Sequence, residues 1–270
     1  MSTSTPTTTE KADLYWEARG SGPAVLLIPG TPGYGGQFAR LADELAVDHL
    51  VITYDRRGTA RSGAAVGWSE TNVAEQADDA AAVLAAVGVA SAMVFGTSNG
   101  ALVALELALR HPGRVGRVIV HEAPLMSVLE DPGSVASAIG SVIGPAMEKG
   151  GPDAALEAFL RFAYGDPVVD AWTRELRDAM LADAAMIFSV EMPGFQAYRP
   201  DGDRLEASPV PVTVLVGEDQ QLPFFHEAAE WLAERAATEI RRSPGAHGPQ
   251  FTAPAQLADA LRGIEGGQAG

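Results

Sequence analysis

The chain has 270 residues, of which 47% are hydrophobic, and this suits one large α/β domain with a sizeable core. Its formal net charge of −16 disfavours nucleic acids and anionic membranes as partners, and the absence of cysteine excludes disulfides and thiolate metal sites. Because no stretch resembles a signal peptide or a membrane span, we expect a soluble cytoplasmic protein, whose oligomeric state the sequence does not predict.

Predicted strands alternate with predicted helices along most of the chain. Residues 1–10 are rich in Ser and Thr, and we expect them to form a disordered tail. A continuous apolar run such as 24–28 is typical of a strand buried on both faces of a sheet. Thr71 is the predicted N-cap of a helix. In chain order, the predicted elements are strand 13–18, strand 24–28, helix 38–45, strand 49–54, helix 71–87, strand 93–95, helix 101–110, strand 117–120, strand 211–216, helix 224–236, a strand from residue 240 and helix 254–262.

This alternation predicts the α/β class, with a mostly parallel central sheet flanked by helices. One segment interrupts it, because residues 126–208 have a helical pattern without a strong strand signal. We interpret this segment as a helical cap inserted over the carboxyl edge of the sheet, in a core formed by residues 11–125 and 209–265. A further set of helices packed on the sheet is the alternative.

The motif Gly-Thr-Ser-Asn-Gly at residues 96–100 lies between a short apolar strand and a helix. A strand that turns so abruptly into a helix forces its apex residue into a strained conformation. Bulky residues two positions to either side would clash, which explains the glycines. The turn would lift the hydroxyl of Ser98 clear of the sheet and point the helix N-terminus at it. Ser98 is therefore the predicted nucleophile.

A serine hydroxyl is a weak nucleophile until a neighbouring imidazole takes its proton. Of the five histidines, His247 lies in a glycine-flanked loop after the last strand, which fits the chain order nucleophile, acid, histidine. The residues alone do not determine which acid orients this imidazole. Glu122 and Asp219 both lie at the carboxyl end of a predicted strand, and spacing alone does not separate them.

The oxyanion of an acyl-transfer intermediate needs backbone donors. We predict the amides of Asn99, directly after the nucleophile, and of Thr31, in the loop after strand 24–28. Gly30 lets that loop approach closely and is also predicted to contact the substrate. The predicted apolar binding surface of the cap contains Met126, Trp172, Met186 and Phe188.

Together these motifs resemble the α/β-hydrolase fold superfamily, over residues 16–262. Residues 29–33, Pro-Gly-Thr-Pro-Gly, resemble its oxyanion loop, in which histidine usually stands where this chain has Pro29. Residues 55–62 resemble its Asp-x-Arg-Gly-x-Gly-x-Ser segment, with Ala60 in place of the second glycine. Residues 96–100 match its nucleophile elbow fully. The resemblance implies an α/β-hydrolase fold with a helical cap.

The resemblance also bears on the acid. The late-strand acid of the family usually lies three residues after the strand's glycine, a position that Gln220 occupies here. Residues 120–124, Val-His-Glu-Ala-Pro, resemble a subset that includes the fungal zearalenone lactonases, in which the Glu of this element serves as triad acid. This favours Glu122 and leaves Asp219 as the alternative.

The implied function is hydrolysis of a small apolar carboxylic ester or lactone through an acyl-enzyme, without a cofactor or metal. In this interpretation Ser98 attacks, His247 is the base, and Glu122 orients the imidazole. Cleavage of a carbon–carbon bond by the same triad is one alternative, and a non-catalytic ligand-binding protein is another. Serine at position 98 argues against haloalkane dehalogenases and epoxide hydrolases, whose nucleophile is a carboxylate.

Overall fold

The computed structural model describes the backbone of residues 3–8 and all atoms of residues 12–266. Eight strands of this described part form a single sheet. They are β1 (Thr3–Thr8), β2 (Asp13–Gly20), β3 (Ala24–Ile28), β4 (Leu50–Tyr54), β5 (Ala92–Thr97), β6 (Val115–His121), β7 (Val212–Gly217) and β8 (Ile240–Ser243). Their order is β1-β2-β4-β3-β5-β6-β7-β8, and only the β1–β2 and β2–β4 pairs are antiparallel. The predicted mostly parallel sheet is confirmed.

Besides these strands, the described part of the chain contains twelve α-helices. They are α1 (Ala39–Leu45), α2 (Val73–Val87), α3 (Asn99–Arg110), α4 (Pro132–Tyr164), α5 (Asp166–Asp170), α6 (Arg174–Leu181), α7 (Ala184–Met186), α8 (Met192–Gln196), α9 (Gly202–Glu206), α10 (Pro223–Arg235), α11 (Pro249–Thr252) and α12 (Pro254–Gly266). Successive residues of β3 point to opposite faces. Leu26 and Ile28 pack with α2, α3 and α10, whereas Val25 and Leu27 pack with α1 and α12. None of these helices combines the length and the apolarity that crossing a membrane requires.

Two local expectations at the sheet are wrong. The described part of the predicted disordered tail, Thr3–Thr8, is a strand paired with β2. Threonine favours extended backbone, and β2 would otherwise leave a row of unpaired N–H and C=O groups at the sheet edge. The other tail residues, 1–2 and 9–10, lie outside the described residues. The N-cap of α2 is Asn72, whose side chain accepts from the amide of Glu75 at 2.9 Å, while the Thr71 hydroxyl bonds the Glu75 carboxylate.

Between β6 and β7 the described chain forms only helices, as the helical pattern of residues 126–208 predicts. Part of this segment has a small apolar core of its own, distinct from the two clusters on the sheet. The first part of α4 is different, because residues 132–150 contain no buried side chain. The helix changes direction at Gly151, where φ is 71°. The buried residues of the small core are Leu156, Leu160, Tyr164, Val169, Met180, Ala184 and Ile187.

A completely buried ion pair connects this helical segment to the loop after β4. Arg56 Nη2 donates to Glu191 Oε1 at 2.8 Å, and both side chains are fully inaccessible to solvent. Among the described residues, Arg56 Nε, Arg56 Nη1 and Glu191 Oε2 have no hydrogen-bond partner. Burial raises the pKa of Glu191 against the opposing effect of Arg56. The pair therefore depends on a single hydrogen bond to hold two charges in the interior.

Glu191→Gln is expected to lower the free energy of unfolding by about 3 to 5 kcal/mol, because it leaves the Arg56 guanidinium, which cannot lose its proton, buried without a counter-charge. Urea denaturation measures this loss. Asp178→Asn is the matched control, since it breaks the exposed pair with Arg174 and should change stability by less than about 0.5 kcal/mol. Equal effects of the two substitutions would contradict the expectation.

Candidate active site

Ser98 stands at the apex of the turn between β5 and α3, where the sequence predicts a strained residue. Its backbone angles are φ 54° and ψ −130°, in a region that residues with a side chain rarely adopt. A Cβ atom on Gly96 would lie 2.3 Å from the carbonyl oxygen of Gly100, and one on Gly100 would lie 2.3 Å from that of Ile28. The predicted need for glycine at both positions is confirmed.

Glu122 and His247 meet where β6 and β7 end at the carboxyl edge of the sheet. His247 Nδ1 donates to Glu122 Oε2 at 2.6 Å. The same carboxylate oxygen accepts from Gln220 Nε2 at 2.6 Å, and Oε1 accepts from the Gly217 amide at 2.8 Å. Glu122 and His247 are each only 1% exposed. The carboxylate is thus fixed by three donors, one of which is the imidazole.

The surroundings of Glu122 keep its carboxylate charged. Burial alone would raise its pKa, but the neighbouring His121 and the hydrogen bonds from His247 and Gly217 outweigh burial and lower the pKa to about 2. A carboxylate that stays ionised at neutral pH can hold the imidazole in one tautomer, with the proton on Nδ1. Nε2 of His247 is then the nitrogen available to take a proton.

His121 lies beneath this pair as a buried, neutral imidazole. Its Nδ1 lies 2.9 Å from Thr97 Oγ1, and its Nε2 lies 3.1 Å from Ser243 Oγ. Burial is the main cause that lowers the pKa of His121, to about 4, and the positive charge of a protonated His247 acts in the same direction, whereas Glu122 opposes the shift. The two hydroxyl partners satisfy a neutral ring, since one can donate to it and the other can accept from it.

The buried His121 predicts loss of stability in acid. Because its folded-state pKa is near 4 and its usual value is 6.5, the unfolded chain binds this proton first as the pH falls. The free energy of unfolding should therefore decrease between pH 6.5 and pH 4. NMR should find the His121 ring neutral at pH 5, and urea denaturation should give a flatter pH dependence for His121→Gln. His111→Gln, which removes a surface histidine, is the control, and an imidazolium at pH 5 would contradict the prediction.

The two predicted oxyanion donors lie on adjoining segments beside Ser98. Within residues 12–266 the backbone amides of Thr31 and Asn99 donate to no protein oxygen. Asn99 Nδ2 donates to Thr31 Oγ1 at 2.9 Å, which ties the loop after β3 to the start of α3. A Cβ atom on Gly30 would lie 2.9 Å from Ser98 Cβ, so the loop passes directly against the serine. Free amides at a helix N-terminus suit a developing negative charge.

Ser98, Asn99 and His247 line one cavity with a volume of about 530 Å³. Its walls are mainly apolar, and α4 and the α8 region supply much of them. Within the described residues no cluster of His, Asp and Glu side chains could hold a metal ion. The larger apolar side chains in the wall include Ile139, Ile143, Phe159, Phe162, Met192 and Phe195.

Comparison with known proteins places this arrangement in a family. Residues 23–139 match the family model described as the alpha/beta hydrolase fold. YraK of Bacillus subtilis, named as an uncharacterized hydrolase, is 30% identical over 246 residues, which cover 87% of this chain and 86% of that protein. The chain belongs to the α/β-hydrolase fold family. This confirms the resemblance of the motifs at superfamily level.

Two further similar proteins have names that describe different reactions. A RutD protein of Azorhizobium caulinodans, provisionally named as a carbamate hydrolase, is 43% identical over 104 residues, 38% of each chain. The solved structure of Est816, described as an N-acyl homoserine lactone degrading enzyme, is 23% identical, with a TM-score of 0.74 over 96% of this chain and all of that one. The second likeness shows the shared fold.

The position of the family's usual late-strand acid holds Gln220 in this α/β hydrolase, and the structure shows what the glutamine does. Its Nε2 donates to Glu122, while its Oε1 accepts from the Leu222 amide at 2.8 Å, which defines the orientation of the amide group. Asp219, the alternative acid, is exposed, and in the described structure its carboxylate has no bond to His247. Of the two candidate acids, only Glu122 contacts the imidazole.

The predicted binding surface of the insertion is only partly at the cavity. Met126 lines it, whereas Trp172, Met186 and Phe188 do not and instead pack against the small core within residues 156–187. The Trp172 ring lies 5.2 Å from that of Phe251. Their assignment to the binding surface is corrected, because apolar side chains at helical spacing first bury one another when a helical segment has its own core.

Three contacts of the site had no specific sequence signal. The His247 ring lies near the ring of Phe225, at 4.7 Å and 20°, and near that of Tyr164, at 5.3 Å and 36°. Gln220 was noticeable only as a departure from the family pattern. Phe225 comes from α10 and Tyr164 from α4, so their convergence on one imidazole appears only in three dimensions.

Proposed function

We propose that this chain is a serine hydrolase that cleaves a carboxylic ester or lactone through an acyl-enzyme, without a cofactor or metal. One observation carries the proposal: Ser98 and His247 line one cavity, while Nδ1 of that imidazole donates to Glu122 at 2.6 Å. The roles follow from the chemistry of the groups. Ser98 is the nucleophile, His247 the general base and Glu122 the acid that orients it.

In the first step the Ser98 oxygen attacks the carbonyl carbon of the substrate, and His247 Nε2 takes the hydroxyl proton. The carbonyl electron pair moves onto oxygen, and the amides of Thr31 and Asn99 receive the negative charge. Glu122 stabilises the imidazolium that forms, because the two charges share a short hydrogen bond in a buried site.

In the second step the bond between the carbonyl carbon and the alcohol oxygen breaks, and His247 returns its proton to that oxygen. A water molecule, deprotonated by the same imidazole, then attacks the acyl group on Ser98. The carboxylic acid is released and the serine regains its proton. In a lactone the alcohol stays on the acyl chain, so both product groups leave together.

We also propose that residues 126–208 act as a cap on a core of residues 11–125 and 209–265. Support comes from the cavity, which is lined by Ser98 and by apolar residues of α4 and α8. A space of about 530 Å³ with such walls suits a bulky apolar acyl or alcohol group. Small hydrophilic esters would gain little from it.

Hydrolysis of a carbamate is a second candidate, favoured by the 43% identity with the RutD protein over 104 residues. The same serine attack and the same oxyanion donors serve a carbamate carbonyl. Because the match covers only 38% of each chain, the ester or lactone remains the first candidate.

A fluorophosphonate probe tests the nucleophile directly, because it phosphonylates only an activated serine. We expect peptide mass spectrometry to find the adduct on Ser98, and Ser98→Ala to remain unlabelled. A panel of apolar esters, lactones, carbamates and a diketone with a scissile carbon–carbon bond then identifies the reaction. Absence of labelling in a folded native protein would favour a ligand-binding role and overturn the proposal.

A further inference from the structure

One strong cation lies in the mainly apolar wall of the cavity. Arg199 lines it together with Ser98 and His247, just after α8. Arg199 lies three residues beyond the end of α8, whose residues Met192, Phe195 and Gln196 also line the cavity. The aliphatic stem of an arginine can lie on such an apolar wall while the guanidinium remains accessible.

The guanidinium of Arg199 uses only one of its three nitrogens in hydrogen bonds within the described structure. Nη1 donates to the carbonyl oxygens of Gln196 at 3.1 Å and Tyr198 at 2.9 Å, both in its own turn. Within residues 12–266 it makes no ion pair with a carboxylate, and Nε and Nη2 have no protein acceptor. These contacts occupy Nη1 and leave the edge formed by Nε and Nη2 free to bind two oxygens of a planar anion.

Three other arginines of the helical segment are paired with carboxylates, whereas Arg204 donates to the carbonyl oxygen of Leu109. Arg161 pairs with Asp166 and with other acidic neighbours, Arg177 pairs with Glu157, and even the highly exposed Arg174 lies 3.6 Å from Asp178. In a chain with 35 acidic residues and only 19 Lys and Arg, a carboxylate partner is easily supplied. Arg199 has none, and it is the arginine in the cavity wall.

We propose that Arg199 forms an anion subsite, so that the substrate is an apolar ester or lactone with a carboxylate, or a similar planar anion, at the end remote from the reacting carbonyl. This inference rests on the proposed function, since it names the substrate class of the same cavity. The apolar walls contact the middle of such a molecule, and the guanidinium binds its charged end bidentately.

Because the net charge of the chain is −16, an anionic substrate depends on this subsite for binding. The field of the whole molecule repels an anion, so a preference for one must come from a local cation in the cavity. Without Arg199 the same cavity should favour the neutral form of a substrate. Removing the guanidinium is therefore expected to reverse the order of two otherwise matched substrates.

The test compares p-nitrophenyl half-esters of linear dicarboxylic acids, such as suberate and sebacate, with their ω-methyl esters, which have no charge. We expect kcat/KM for the carboxylate form to be about tenfold higher at the best chain length, as charged hydrogen bonds in recognition sites provide. Arg199→Gln should bring this ratio to one or below. Arg174→Gln removes one exposed positive charge from the same segment and should keep the ratio.

A binding measurement keeps the inference independent of catalysis. Calorimetry with the Ser98→Ala protein and the monomethyl ester of suberate or sebacate, which has one carboxylate, should give binding that is about tenfold weaker in Ser98→Ala/Arg199→Gln, and weaker at high salt. If the esters are not hydrolysed but this difference is found, the proposed function fails and the anion subsite stands. A wild-type substrate ratio near one at every chain length overturns the subsite, and so does a ratio or an affinity that survives Arg199→Gln.

Discussion

Ser98→Ala is expected to keep the fold and to lower kcat by about 10⁴-fold or more on any ester that the native protein hydrolyses, since the acyl-enzyme can no longer form. The turn around residue 98 should survive, because its geometry depends on Gly96 and Gly100 rather than on the hydroxyl. Steady-state and single-turnover kinetics measure the loss. Alanine at this position also removes the site of fluorophosphonate labelling.

The control for this expectation is structural. Circular dichroism and thermal unfolding of Ser98→Ala should match the native protein, with a change of less than about 1 kcal/mol, because the hydroxyl makes no hydrogen bond within the described residues. A variant with normal folding and near-native turnover would show that another residue attacks the substrate.

Glu122→Gln is expected to lower the acylation rate by about 10³- to 10⁴-fold, because the amide keeps the size of the side chain but removes the charge that stabilises the imidazolium. The substitution also places an amide where Gln220 and the Gly217 amide now donate to a carboxylate. Three donors would then compete for one acceptor oxygen, and the tautomer of His247 would no longer be defined.

Asp219→Asn is the matched control, since it removes a carboxylate two residues beyond the end of β7 without touching the imidazole. We expect a loss of less than about tenfold, as for a surface substitution outside the site. Thermal unfolding of both variants separates loss of fold from loss of catalysis. If Asp219→Asn lost most of its activity and Glu122→Gln kept nearly all of it, the acid that orients His247 would be Asp219.

Much of the fold could be predicted from residue pattern because the pattern records burial. Runs such as Ala24–Ile28 are apolar at every position, which is typical of a strand covered on both faces. Helices with one apolar face lie between such strands along the chain. The tail was the exception. Its six-residue strand Thr3–Thr8 is determined by the open edge of β2, a feature of the assembled sheet that local composition does not express.

At the site, the sequence by itself determined the turn that carries Ser98. Gly96, Ser98 and Gly100 are constrained by hard-sphere contacts within a few residues, and such constraints are visible in a short motif. The loop position of His247 could be predicted for a related reason, because chain order and flanking glycines limit where a base can stand.

Only the tertiary structure decided which carboxylate meets the imidazole and which side chains face the cavity. Glu122 and Asp219 both lie at strand ends, and their difference is a matter of ångströms across β6 and β7, fixed by strand register and by the Gln220 hydrogen bond. Likewise Trp172 and Arg199 both lie in short connections between helices of one segment, yet one packs against the small core and the other lines the cavity. Contacts between residues far apart in the chain depend on packing, and no local pattern encodes them.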